Sequence, residues 1–128
     1  LPTQVFLKPM VEQRAGAIVN FSSMAAFRPL TRVAGYAAAK AGISNFTAFM
    51  ATEIAKKFGE GIRINAIAPG FVRTDMTADI DEAELRKQIP AGRFCEPAEV
   101  ADLAMFLISE QASYITGEVI SINGGLYT

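Results

Sequence analysis

Tyr36 and Lys40 stand four residues apart in an alanine-rich stretch, Tyr36-Ala37-Ala38-Ala39-Lys40-Ala41-Gly42. On a helix that spacing puts both side chains on one face, so their heads can meet at one place. A free phenol titrates near ~10 and is a poor base at neutral pH, but an adjacent ammonium favours the phenolate. Tyr36 can then carry a proton to or from an alcohol oxygen. Ser23, thirteen residues earlier, offers a hydroxyl that could hold the same oxygen as charge develops on it. The chain has no His and one Cys, Cys95. Ser-His and Cys-His nucleophilic pairs, His-ligated metal sites and intrachain disulfides therefore cannot be built within one copy, and no metal ligand set is expected. Cys95 reads as a buried structural thiol in a chain suited to a reducing compartment.

Spacing alone is weak: three Tyr and five Lys in 128 residues give roughly 0.1 chance pairs at this offset. Location strengthens it. Ala17 to Phe21 is a short apolar run without alternation, the pattern of a strand covered on both faces in a parallel sheet. Ser22 to Val33 reads as a loop after its carboxyl end. Residues 35 to 58 form the longest helical stretch, rich in Ala and stopped at Gly59. The small Ala37, Ala38, Ala41 and Gly42 would let a sheet or a second subunit approach closely. Ile62 to Ala68 is a second strand, ended by Pro69-Gly70. Phe71 to Pro90 is polar and broken, with a short helix around Glu82 to Gln88; it is either a segment that closes over a site or a solvated connection. Pro97 opens another helix, with Val100, Leu103, Ala104 and Leu107 on one face and its end near Ser109. Glu118 to Ile122 is a third strand. Residues 3 to 13 read as the end of an amphipathic helix with Pro9 in its middle.

Strand, helix, strand, helix, strand implies a parallel α/β sheet with helices on its faces, and ligands bind such sheets at the carboxyl ends of the strands. The apolar first strand would be an edge inviting pairing, so further strands from a missing amino-terminal half or a partner are expected to complete the sheet.

The chain of 128 residues suits one domain able to bury roughly two-thirds of its unfolded surface. Hydrophobic residues make up 51% and charged residues 20%, which excludes disorder. A net charge of -1 supplies no field toward nucleic acid or anionic membrane. No run of about 18 apolar residues and no export signal is visible, so a cytoplasmic protein is expected. The sequence opens Leu1-Pro2-Thr3 without an initiator Met, as a processed product or a piece of something longer would.

Ile18-Val19-Asn20-Phe21-Ser22-Ser23, then Tyr36-x-x-x-Lys40, then Asn65-Ala66-Ile67-Ala68-Pro69-Gly70 together resemble the short-chain dehydrogenase/reductase family. The resemblance covers essentially the whole chain but only the family's carboxyl-terminal half. It implies three parallel strands with flanking helices, the carboxyl-terminal half of a Rossmann-type doubly wound sheet. Residues 1–128 would then be a single partial domain, without the amino-terminal dinucleotide-binding half and its glycine-rich loop. It further implies that Ser23 orients a substrate carbonyl or hydroxyl, that Tyr36 is the acid/base and also contacts the cofactor, and that Lys40 binds the nicotinamide ribose. Pro69, Gly70, Val72 and Thr74 would meet the nicotinamide; their alternative is a turn with an ordinary cap. Met24, Phe27, Arg28, Pro29 and Met76 would lie on the substrate side; Arg28 either meets an acidic substrate or is an exposed surface arginine. NAD and NADP cannot be told apart from this half.

Thr74-Asp75-Met76-Thr77 through Gly92-Arg93-Phe94 and Ser113-Tyr114-Ile115-Thr116-Gly117 looks like 3-oxoacyl-(acyl-carrier-protein) reductases. Leu1 to Phe6 and Ser23 to Thr31 are similar to sugar and sugar-acid dehydrogenases of the mannonate/fructuronate type. The implied function is NAD(P)(H)-dependent interconversion of a ketone and a secondary alcohol, on one of those substrate classes. The implied partners are a small-molecule substrate and further copies of the chain, as tetramer or dimer, through the Tyr36 helix, the helix before it, and the last helix and strand near Val100 and Ile120. A reading of another class is an inactive fragment that keeps those oligomer-forming surfaces; the isolated 128 residues are expected to be inactive.

Overall fold

The computed structural model describes residues 2–28, 31 and 33–127. Pro29, expected near the substrate, and Leu30 and Leu1 of the quoted motifs lie outside them. The elements are α1 (Pro2–Gln13), β1 (Gly16–Phe21), α2 (Ala34–Phe58), β2 (Ile62–Pro69), α3 (Glu82–Leu85), α4 (Pro97–Ile108) and β3 (Val119–Ile122), with 3-10 turns at Met24–Ala26, Asp75–Thr77, Arg86–Gln88 and Glu110–Ala112.

The three strands form one parallel sheet in the order β1-β2-β3. Parallel neighbours need a long crossover, and α2 and the α3–α4 segment supply the two. Register runs from Gly16↔Ile62 to Phe21↔Ile67 and from Ala66↔Val119 to Pro69↔Ile122. β2 is therefore central: Ile64, Ala66, Ile67 and Ala68 are inaccessible to solvent. Its pleat divides the labour. Ile62 and Ile64 join Ala51 and Ile54 of α2, with Leu7, Met10 and Val11 of α1 and Ile18 packed against them. Arg63 and Asn65 reach the last turn of α4 and the segment after it. Arg63 donates to the carbonyls of Leu107 (2.7 Å) and Ser109 (3.0 Å), and Asn65 to that of Ile115 (2.9 Å). Helices thus lie on both faces, as the element order implied.

α1 runs through Pro9 without a break, giving up one backbone hydrogen bond at an exposed position. α2 ends where Gly59 takes φ +77, a conformation that a side chain would strain. The helix expected over residues 82 to 88 divides into α3 and a 3-10 turn, because Pro90 drives Ile89 into extended backbone (ψ 117) and the last turn tightens. β3 begins one residue later than expected, since the Glu118 N–H is taken by the Asn65 side chain (3.0 Å). β1 pairs only with β2 among the described residues, and Phe21 is exposed at its end. No helix among the described residues is long and apolar enough to cross a membrane.

Candidate active site

Because β1 and β2 are parallel, Ser22-Ser23 and Pro69-Gly70 emerge at the same, carboxyl end of the sheet, and α2 starts beside them. A buried polar seam sets the position of α2. Asn20 donates to the Thr47 hydroxyl (2.9 Å), Ser22 donates to the Lys40 carbonyl (3.0 Å), and the Ser22 and Ser44 hydroxyls lie 2.6 Å apart. Ser22, Ser44 and Thr47 are all buried. Tyr36, Lys40, Ser44 and Thr47 form one polar stripe at helical spacing, so the sequence does carry this signal.

Within this frame Lys40 Nζ lies 5.6 Å from the centre of the Tyr36 ring and donates to the Phe21 carbonyl (2.8 Å). Ser23, in extended backbone and buried, accepts from the Ala25 N–H (3.2 Å) and caps the 3-10 turn that follows. Its own hydroxyl hydrogen remains available to a ligand. Tyr36 is half-exposed. Ser23, Tyr36, Lys40, Pro69, Gly70, Val72, Thr74 and Met76 line one cleft of about 210 Å³, together with Phe21, Ser22 and Thr77. Thr77 is the site neighbour that sequence reading passed over. Its hydroxyl accepts from the Thr74 N–H (3.0 Å) and donates to the Val72 carbonyl (2.6 Å), and the Thr74-x-x-Thr77 spacing of a capping box was its signal.

The remaining expected substrate contacts lie elsewhere. Met24 is buried behind Gly70, whose missing Cβ would sit 2.9 Å from Asn123 Cβ and 3.5 Å from Met24 Sδ. Only glycine allows that close approach. Phe27 stacks on Tyr127 with ring centroids 6.4 Å apart, and Arg28 donates to the Leu126 carbonyl (3.1 Å). Both residues hold the carboxyl-terminal tail and are absent from the cleft lining. Larger hollows of about 730 and 930 Å³ lie along α1 and at the amino-terminal end of the sheet, away from Ser23, Tyr36 and Lys40. Among the described residues no group of three His, Cys, Asp or Glu side chains is placed to hold a metal.

Cys95 is half-buried, and burial, with Glu99 nearby, pushes its thiol above the ordinary range. It sits at the base of the 71–95 loop, where Val72 bridges it and the Arg73 N–H bonds its carbonyl (2.9 Å). Phe71 stacks on the buried Phe94 (5.2 Å) at the same place.

Comparison with known proteins accords with this geometry. The family model described as Enoyl-(Acyl carrier protein) reductase matches residues 3–127. A 3-oxoacyl-(acyl-carrier-protein) reductase of Aquifex aeolicus is 47% identical over 130 residues, 99% of this chain and 51% of that protein. Two solved structures superpose closely. One, from Agrobacterium tumefaciens, assigned as a 2-deoxy-d-gluconate 3-dehydrogenase with bound NADP, has TM-score 0.88 and 38% identity, covering 97% of this chain and 52% of its own. The other, a 3-oxoacyl-(acyl-carrier-protein) reductase from Brucella melitensis with bound NAD, has TM-score 0.87 and 39% identity, covering 99% and 47%. The chain spans about half the length of the curated relatives it matches. With its sheet order, its Ser, Tyr and Lys on one cleft and a family match from residue 3 to 127, the chain belongs to the short-chain dehydrogenase/reductase family.

Proposed function

We propose that this chain is the catalytic half of an NAD(P)(H)-dependent oxidoreductase that interconverts a ketone and a secondary alcohol, of the 3-oxoacyl-(acyl-carrier-protein) reductase type. The observation that carries the reading is the convergence of Ser23, Tyr36 and Lys40 with Pro69, Gly70, Val72 and Thr74 on one cleft at the carboxyl ends of β1 and β2. The 47% identity to a reductase of that name supports the substrate class.

The donor set of the cleft fits the nicotinamide riboside end of a dinucleotide. Lys40 spends one N–H on the Phe21 carbonyl and keeps two for a ribose diol. Pro69, Gly70, Val72 and Thr74 form the wall against which a carboxamide ring would rest. When bound, the nicotinamide supplies or accepts the hydride. In the direction of reduction the Tyr36 hydroxyl gives its proton to the substrate oxygen, and the carbonyl becomes an alcohol. Ser23, with its lone pair held by the Ala25 N–H, aims its hydrogen at the same oxygen. Lys40 stabilises the negative charge that develops on Tyr36 Oη. In the reverse direction the same groups take the proton from the alcohol. One neighbour holds NADP and another NAD; the residues that tell the two apart belong to the amino-terminal half, at the adenosine ribose.

Residues 1–128 act here as one partial domain whose sheet is completed at the free edge of β1 by an amino-terminal half carrying the phosphate-binding turn; alone they are inactive. The exposed row of Ala38, Ala41, Gly42 and Phe49 on α2 serves association with further copies. A second reading, sugar or sugar-acid oxidation, is favoured by the 38%-identical dehydrogenase neighbour.

The test joins this chain to the amino-terminal half of its reductase relatives and follows NADH and NADPH oxidation with a 3-oxoacyl thioester and with a keto-uronate. Turnover of the thioester supports the reductase reading; turnover of the uronate alone replaces it with the second. No turnover of either, with cofactor still bound, leaves the oligomer-forming fragment as the better account.

A further inference from the structure

After β2 the chain bends through residues 71–74, with Val72 in a β-bridge to Cys95 and Thr74 in extended backbone at φ -142, ψ 171. Val72 and Thr74 line the cleft, and Arg73 between them points the other way. There its guanidinium meets Glu82 at the start of α3 in a two-pronged pair, Nε to Oε2 at 3.1 Å and Nη2 to Oε1 at 2.6 Å. Its third nitrogen donates to Glu96, the residue that caps α4. A second fork, Arg93 on Glu99 (2.7 Å twice), backs the first, because Glu99 also accepts from the Glu96 N–H (2.8 Å). Lone exposed ion pairs contribute little, whereas planar two-pronged pairs joined in a network are the exception. One side chain thus ties the cleft wall, the loop helix and the cap of α4 together, while Thr77 pins the same wall from the cleft side.

We infer that Arg73 is a positioning residue: by gripping Glu82 and Glu96 behind the chain, it holds Val72 and Thr74 facing the nicotinamide side of the cleft. The inference rests on the cofactor placement proposed above. Lysine cannot replace the fork, since its ammonium is a point charge without paired planar donors.

The experiment compares wild type, Arg73→Ala and Arg73→Lys in the chain joined to its amino-terminal half, by hydrogen exchange and steady-state kinetics. Arg73→Ala should speed exchange of the amides of residues 74–80 by about tenfold and raise KM for the nicotinamide dinucleotide about fivefold, with kcat changed less than about twofold. Arg73→Lys should fall between. Should Arg73→Ala not fold, Glu82→Gln, which keeps shape and removes charge, is read on the same amides and the same KM. Unchanged exchange overturns the clamp. Faster exchange with an unchanged KM overturns the positioning role and leaves a structural one. Absence of any reductase turnover in the wild type would instead strike the proposed function, and the exchange measurement would still decide whether the clamp exists.

Discussion

The two walls of the cleft are held in opposite ways. The wall that carries Ser23, Tyr36 and Lys40 is fastened by a dry seam, in which Asn20, Ser22, Ser44 and Thr47 exchange hydrogen bonds between β1 and α2 with three of the four buried. The wall that carries Val72 and Thr74 is fastened by ion pairs at the surface, Arg73 with Glu82 and Glu96. Buried hydrogen bonds lose a partner only at the full cost of desolvation, so the first wall stays fixed. Ion pairs at the surface, even joined in a network, weaken with salt and open at less cost than buried hydrogen bonds, so the second wall opens and recloses more readily than the first. In the proposed reaction, proton transfer demands the first property, and admission of a large cofactor and substrate demands the second.

Experiments can break this contrast. The largest effect falls on the proposed acid/base: Tyr36→Phe should lower turnover by about 10²–10⁴ while cofactor binding, followed by nicotinamide fluorescence, is retained. Undiminished turnover would remove Tyr36 from the acid/base role. Next is the seam. Ser22→Ala takes a partner from Ser44 and from the Lys40 carbonyl, and should cost about 1–3 kcal/mol of stability by urea unfolding. It should also lower kcat more than Arg73→Ala does; the reverse order would contradict the assignment of rigidity to the seam.

Smaller effects sharpen the contrast on the ion-paired wall. Arg93 holds the Glu99 carboxyl down to about 2, from an ordinary 4.5. A depressed carboxylate stabilises the fold above its unfolded pKa, and the contribution drains away as pH falls through the folded value. Corrected for the intrinsic amide exchange rate, protection in residues 93–99 should therefore fall between pH about 4.5 and 2, and Glu99→Gln should flatten that dependence. Glu82, held low by Arg73, should loosen residues 73–82 in the same direction. The smallest effect is at Cys95, whose raised thiol should react with iodoacetamide several-fold more slowly than a free cysteine at pH 8. Arg73→Ala should narrow that gap, because the Val72–Cys95 bridge is anchored beside it.

Much of this was legible in the residues because it is local. Tyr36 and Lys40 share a face through helical periodicity alone, Gly59 ends α2 through its own backbone freedom, and Pro90 cuts short the loop helix by restricting its neighbour. Hidden were contacts with no period. Arg73 finds carboxylates 9 and 23 residues away, and Arg28, open to a substrate role on sequence grounds, spends a nitrogen on a carbonyl 98 residues away. Hydrophobic patterning gives no hint of either, since both involve polar side chains at the surface.

By itself, then, the sequence determined which elements form, in what order, and that a phenol and an ammonium would share one face at the start of a helix that follows an apolar strand and its serine loop. These follow from propensities and periods that act over a few residues. Only the tertiary structure decided which distant side chains meet. The pairing of Ser22 with Ser44, of Arg73 with Glu82, and of Phe27 with Tyr127 depends on how the sheet stacks its crossovers, and a charge or hydroxyl accepts whichever partner that packing delivers.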